Sequence, residues 1–365
     1  MKRCCLLKSP GLLRPMRTLM FRTSARVVAC ASLCLGAAAV ALADDDPRTW
    51  LQRMGHAIAT RNYQGTFVHE HGGQTDTLHI VHRVSDRGVA ERIQAMDGSG
   101  REFVRRAGEL STYFPDQRVV LVESTPADGL LLTELLKLNT VAAQLYRLSE
   151  APQARVSGRT AHVIDVEPLD ELRYGYRIWI DEATAMPLKT QLRTLAGAVV
   201  EQLLFTELTL PAQIDDSALE PQVDARSWRW LRQSGAARVA MPGAPEVSWQ
   251  SEQLPAGFRL TARSTRLLPG TRSAVTHLVF SDGLASVSVF VEQPEPGAAP
   301  PARRGVPTRA PPTMTTLGSS AALSTFVDGH KVTAIGEVPA GTVRAIAGSL
   351  RAGGEAGRPS DRRHH

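Results

Sequence analysis

Apolar and polar residues alternate through residues 63–83 (YQGTFVHEHGGQTDTLHIVHR), and His71-Gly72-Gly73-Gln74 interrupts the alternation with turn chemistry. A period of two on either side of a glycine pair predicts a β-hairpin, closed by the charged turn Ser85-Asp86-Arg87-Gly88. The rhythm continues. Strand-like runs at 88–96, 101–106, 109–114 and 118–123 are separated by Asp97-Gly98-Ser99-Gly100, Ala107-Gly108 and Pro115-Asp116-Gln117, all good turn sequences. Further strands are expected at 154–156, 161–168, 173–181, 187–193 and 199–208. An antiparallel meander of about ten strands does not stay flat, so it should curl.

Two stretches have helical rather than strand periodicity. In 48–60, Trp50, Leu51, Met54, Ala57 and Ile58 fall on one face behind an acidic start and Pro47. Residues 128–148 are leucine-rich and are expected to form two short helices hinged near Asn139-Thr140. Both would pack on the concave side of the curled sheet. The fold class is therefore α+β and mostly β: a large half-open antiparallel β-barrel with inner helices. Such a barrel could present an apolar cavity for an acyl chain, lined by Trp50, Met54, Ile58, Leu131, Leu135, Leu138 and Leu145. A fully packed core would use the same residues.

The large domain should span 44–210. Breakers at Pro211, Asp215-Asp216, Pro221 and Gly243-Ala244-Pro245 mark a connector, 211–245, with Trp228 and Trp230 as residues that dock it on a domain. A smaller α+β C-terminal domain, 246–350, is expected, with strands near 258–267, 274–280 and 285–292. A hairpin of 317–328 and 331–337 follows, then a closing helix, 339–350. The Pro-rich stretch 294–312 reads as a loop and 351–365 as a disordered tail.

Charge changes the picture once the N-terminus is set aside. Arg22 and Arg26 precede the apolar, small-residue run 27–43, which ends in Ala41-Leu42-Ala43, the order of a secretory signal peptide. Residues 1–43 are expected to be cleaved, leaving a soluble exported protein, which the family resemblance given below places in the periplasm. Cys30 after Val28-Ala29 sits too early in that run for a lipoprotein acylation site. All four cysteines (Cys4, Cys5, Cys30, Cys34) lie in this leader, so the mature chain relies on core burial rather than disulfides. Seven of the 42 Lys/Arg also lie there, so the pI of about 9.4 belongs to the leader and implies no nucleic-acid partner. Residues 44–224 hold 18 basic and 27 acidic side chains, while 225–365 hold 17 and 9, an asymmetry that suggests two domains with different partners.

Candidate chemistry is sparse. His69, His71, His79 and His82 cluster in the first hairpin; His69 and His71 share a strand face, with Glu70 opposite, and no more than three of the four could converge on a metal. The plainer reading is surface histidine, and no metal or cofactor is expected. Nucleophile-elbow, phosphate-loop and H-E-x-x-H patterns do not occur, and the sequence argues for no catalysis.

Tyr63-Gln64-Gly65-Thr66-Phe67-Val68, Glu91-Arg92 with Asp97-Gly98 and Arg101-Glu102, Leu254-Pro255-Ala256-Gly257-Phe258, Ser281-Asp282-Gly283-Leu284 and Gly336-Glu337-Val338-Pro339 resemble the sigma-E factor regulatory protein family, MucB or RseB. The resemblance implies a lipoprotein-carrier-like large domain and a smaller C-terminal domain in a regulator of envelope stress. It implies binding to the periplasmic part of a membrane-bound anti-sigma factor, protection of that factor from the site-1 protease, and release by lipid or lipopolysaccharide. Within this frame the partner contact is expected on the smaller domain at Phe258, Arg259, Ser281, Asp282, Gly283 and Leu284. The rival reading is a periplasmic lipid or lipoprotein carrier; a homo-oligomer is left open by the sequence.

Overall fold

The computed structural model describes residues 46–124, 132–233, 248–267, 274–292 and 311–353. The expected signal peptide, Leu131, most of the Pro-rich stretch and the tail beyond residue 353 lie outside these described residues; Arg351 and Ala352, expected to begin the disordered tail, belong instead to a strand, because they find a pairing partner in 249–251. Helix α1 (Pro47–Thr60) starts where the sequence places it: the Asp46 carboxylate accepts a bond from the Arg48 amide at 3.1 Å and Pro47 occupies the first turn. Its buried face is Trp50, Leu51, Met54, Ala57 and Ile58.

The hairpin of β1 (Tyr63–His71) and β2 (Gln74–Ser85) forms around Gly72-Gly73. The meander continues through β3 (Gly88–Ala95), β4 (Glu102–Arg106), β5 (Glu109–Phe114) and β6 (Val119–Ser124). Beyond the short α2 (Thr133–Leu136) come β7 (Tyr146–Val156), β8 (Arg159–Pro168), β9 (Gly175–Asp181), β10 (Pro187–Arg193) and β11 (Val199–Thr209). Strand β11 returns to pair with β1, so the two arms of the meander spread from the centre of one sheet. A twelfth strand, β12 (Arg229–Gln233), pairs parallel to β6. The order β12-β6-β5-β4-β3-β2-β1-β11-β10-β9-β8-β7 leaves β12 and β7 as unpaired edges, so the barrel is open.

One expectation about this domain needs correction. The second helix of 128–148 does not form: after α2 and one 3-10 turn (Lys137–Thr140) the chain enters β7 at Tyr146. Leu148 is a strand residue opposite Val166, and β7 begins well before residue 154 because its partner β8 offers a ladder there. The connector runs over the same domain. A 3-10 turn (Asp216–Leu219) and residues up to β12 plate the convex face of the meander. Ile214 and Leu219 pack on Val81 and Ala90, while Ala225 and Trp228 pack on Val104, Tyr113, Val120 and Val122. Trp230 meets Tyr113 edge-to-face and donates its indole N–H to the Ala225 carbonyl, so both tryptophans dock as their sequence suggested.

On the concave face, Tyr63, Phe67, Ile80, Ile93, Ile164, Ile178 and Phe205 form one core with α1 and with Leu132, Leu135, Leu138, Val141 and Leu145. The helices pack on this concave face.

The second domain is a six-stranded sheet, order β14-β15-β16-β19-β18-β17, formed by β14 (Arg259–Leu267), β15 (Ala274–Ser281), β16 (Ser286–Glu292), β17 (Thr313–Leu317), β18 (Ser320–Val327) and β19 (His330–Gly336). A small ribbon pairs β13 (Trp249–Ser251) with β20 (Leu350–Ala352). Helix α3 (Ala340–Ser349) buries Val343, Ile346 and Ala347 against the sheet's core. The expected hairpin of 317–328 and 331–337 forms as β18 and β19, and Gly318-Ser319 turns the chain from β17 into β18. Among the described residues no helix is long and apolar enough to cross a membrane.

Candidate functional site at the domain junction

The loop between β8 and β9 carries Arg173, whose side chain is fully buried. Asp170, three residues earlier, accepts from its Nε at 2.9 Å and from Nη2 at 3.1 Å. The remaining partners belong to the second domain: Asp282 accepts from Nη1 at 2.5 Å and the Ala256 carbonyl from Nη2 at 2.7 Å. The guanidinium also lies over the rings of Tyr146 and Phe258, at 5.8 and 5.5 Å. Burial alone would lower the Arg173 pKa, but the hydrogen bond to Asp170 and the charges of Asp282 and Asp170 outweigh it and raise it. Burial, reinforced by the Asp282 charge, pushes the Tyr146 phenol far up, so it stays protonated and points a weak 3.5 Å hydrogen bond at Asp282.

Around this ion cluster the two domains interlock. Leu284 buries itself in the core of the first domain. Thr342 at the start of α3 donates to the Leu172 carbonyl at 2.5 Å. Gly257 has φ +81°, and a Cβ there would lie 2.4 Å from a Leu145 methyl, so both backbone and space demand glycine. Tyr146, Tyr174, Tyr176, Leu192, Leu284, Ala285, Ser286 and Glu337 line a cleft of about 340 Å³ beside the junction.

The residues expected to line a lipid cavity meet in one place. Trp50, Met54, Ile58, Leu135, Leu138 and Leu145 are all buried within the first core, and Leu131 lies outside the described residues. The residues expected to bind a partner separate into two groups. Asp282 and Leu284 face the first domain, and Phe258 is buried at the junction. Arg259 and Gly283 are exposed, and Ser281 is half-buried, holding its turn by donating to the Ala285 carbonyl at 2.8 Å. Arg259 opens β14, an edge strand with Leu260 41 % exposed. Arg173, Asp170, Tyr146 and Thr342 were missed by sequence reasoning. An arginine beside an acid-rich turn, Asp170-Glu171, was the available signal, and it reads equally as a solvated loop.

The histidines of the first hairpin also separate. His82 is buried, bonded to Glu91 at 2.7 Å and stacked on Tyr63 at 4.3 Å. His79 touches Thr66 Oγ1 at 3.3 Å. His69 and His71 stack at 4.5 Å, and Asp76 joins them from β2.

An open barrel packed with helices and locked to a small α+β domain defines the class, a two-domain protein with a buried junction. The MucB/RseB N-terminal domain model matches residues 46–223 and the MucB/RseB C-terminal domain model 243–351. The chain belongs to the MucB/RseB family. It is 34% identical over 311 residues to the sigma factor AlgU regulatory protein MucB of Pseudomonas aeruginosa, covering 84% of this chain and 91% of that protein. To the sigma-E factor regulatory protein RseB of Escherichia coli it is 26% identical, covering 83% and 90%. The crystal structure of MucB in complex with MucA(peri) superposes with a TM-score of 0.62 at 31% identity, over 84% of this chain and 99% of the other.

Proposed function

We propose that this chain binds the periplasmic part of a membrane-bound anti-sigma factor and thereby restrains the envelope-stress sigma factor. The observation that carries this reading is the match of both domains, in order, to a relative whose structure is a complex with MucA(peri). Within that reading the partner segment lies along the exposed start of β14 and over the junction cleft. The edge backbone offers unpaired groups for an added strand, Arg259 offers charge, and the tyrosines of the cleft offer apolar surface. Phe258, Asp282 and Leu284 contribute by holding the two domains in register, not by touching the partner.

Occupation of that surface would deny the site-1 protease its substrate. The test is the cleavage rate of the anti-sigma factor's periplasmic segment, with and without the mature chain. Slowed cleavage that an Arg259→Glu variant restores supports the reading; equal cleavage in both mixtures overturns it.

Release by lipid or lipopolysaccharide is a second part of the proposal and demands more of the molecule. Since Leu135, Leu138 and Leu145 already pack on the concave face, an acyl chain has to displace them. Leu145 also supports Gly257 beside the junction, so that displacement would reach the partner surface. Lipid and partner would then each weaken the other by the same factor.

A further inference from the structure

On β1 the residues facing the barrel interior are Tyr63, Gly65, Phe67, His69 and His71, so the apolar face ends at its rim in two imidazoles. The neighbouring strands do the same. Asp76 lies opposite His69 and continues the inner face of Leu78 and Ile80 on β2. Glu201 lies opposite His71 and continues the inner face of Leu203 and Phe205 on β11. Three adjacent strands thus present two histidines and two carboxylates at one edge of the barrel mouth.

Their geometry suits a metal ion. One donor atom each from His69, His71 and Asp76 falls within 4.8 Å of the others, and these side chains are half-buried. His69 Nε2 is 2.7 Å from Glu201 Oε1, which leaves Nδ1 as its ligating atom. A carboxylate on the far nitrogen is the arrangement that orients metal-bound histidines. Glu201 is itself held from the second domain: Ser319 hydrogen-bonds it, and burial of its carboxyl is outweighed by the bonds from His69 and Ser319, keeping its pKa below the ordinary value. The tip of the hairpin meets the same turn, for a Cβ on Gly72 would lie 3.2 Å from the Gly318 amide nitrogen.

We propose that His69, His71 and Asp76 form a binding site for a divalent transition-metal ion of the zinc class, with Glu201 orienting His69, at the seam between the two domains. Three protein ligands leave a coordination position for water, and imidazole with carboxylate favours zinc, copper or nickel over calcium or magnesium. The ion would replace the direct 2.9 Å contact of His71 Nε2 with Asp76 by bonds to both. Because hairpin and β17–β18 turn meet there, the bound ion would also stiffen the domain contact.

The test is calorimetric titration of the untagged mature chain with Zn2+ alone, beside His71→Gln and Asp76→Asn, which keep the residues half-exposed and the core untouched. The tail histidines His364 and His365 are present in all three proteins and cancel. The expected result is one equivalent bound by the parent, weakened at least about tenfold in each variant. A rise in melting temperature with added Zn2+ should also be confined to the parent. No binding by the parent, or equal binding in parent and variants, would overturn the site.

Discussion

At Arg173 a single side chain satisfies four oxygens and two aromatic faces from both domains. Removing Asp282 strips the buried guanidinium of one of its two carboxylates while Asp170 still holds it, so the expected cost is about 2–3 kcal/mol, below that of a fully broken buried pair. Asp282→Ala should therefore lower the unfolding free energy read from urea denaturation by that amount and separate the unfolding of the two domains; one unchanged cooperative transition would remove the latch from the account. Gly257→Ala tests the same junction sterically. With φ +81° and Leu145 in the way, a loss of about 1–3 kcal/mol is expected by the same denaturation measurement.

A titrating residue gives the acid side of the stability curve. Burial, with a smaller push from the Arg92 charge, holds the His79 imidazole below its usual 6.5. The unfolded chain then takes up the proton first on acidification, so this stabilisation is present above pH 6.5 and is lost as pH falls from there through the folded value. Melting temperature measured from pH 7.5 to 5 should fall less steeply in His79→Gln than in the parent.

Among the elements, the strands with strict alternation were legible from residues alone, and 109–114 and 187–193 coincide with β5 and β10. Helix α1 was equally plain, because one apolar face and a capped start point the same way. Leucines at 145 and 148 were not decidable. Helix and buried strand both accept them, and only the ladder to β8 determines that Leu148 is extended. Likewise, no local pattern reveals that 229–233 will add in parallel to β6, since long-range pairing is decided by an edge that the sequence does not display. The partner residues suffered the same limit. Ser281-Asp282-Gly283-Leu284 marks a turn, but that Asp282 would turn inward to Arg173, 109 positions away, is set by the docking of the domains. For β14 the expectation is functional: Arg259→Glu leaves stability within about 0.5 kcal/mol, as exposed substitutions do. Loss of partner binding in that folded variant, read by fluorescence anisotropy, is the expected outcome.

Over the whole molecule, the acidic first domain and the smaller second domain are joined by a buried latch, an interlocked leucine and a hairpin tip seated on the opposing turn. Two domains held at several points make a composite surface, and anything that loosens the inner core will alter it. The most direct measurement is a calorimetric titration of residues 44–365 with the periplasmic segment of its anti-sigma factor, repeated after saturation with lipopolysaccharide. Specific one-to-one binding, weakened by the lipid, is the expected result. A folded chain that does not bind the segment at all would contradict the assignment, and binding indifferent to lipid would leave a regulator whose barrel core plays no part in release.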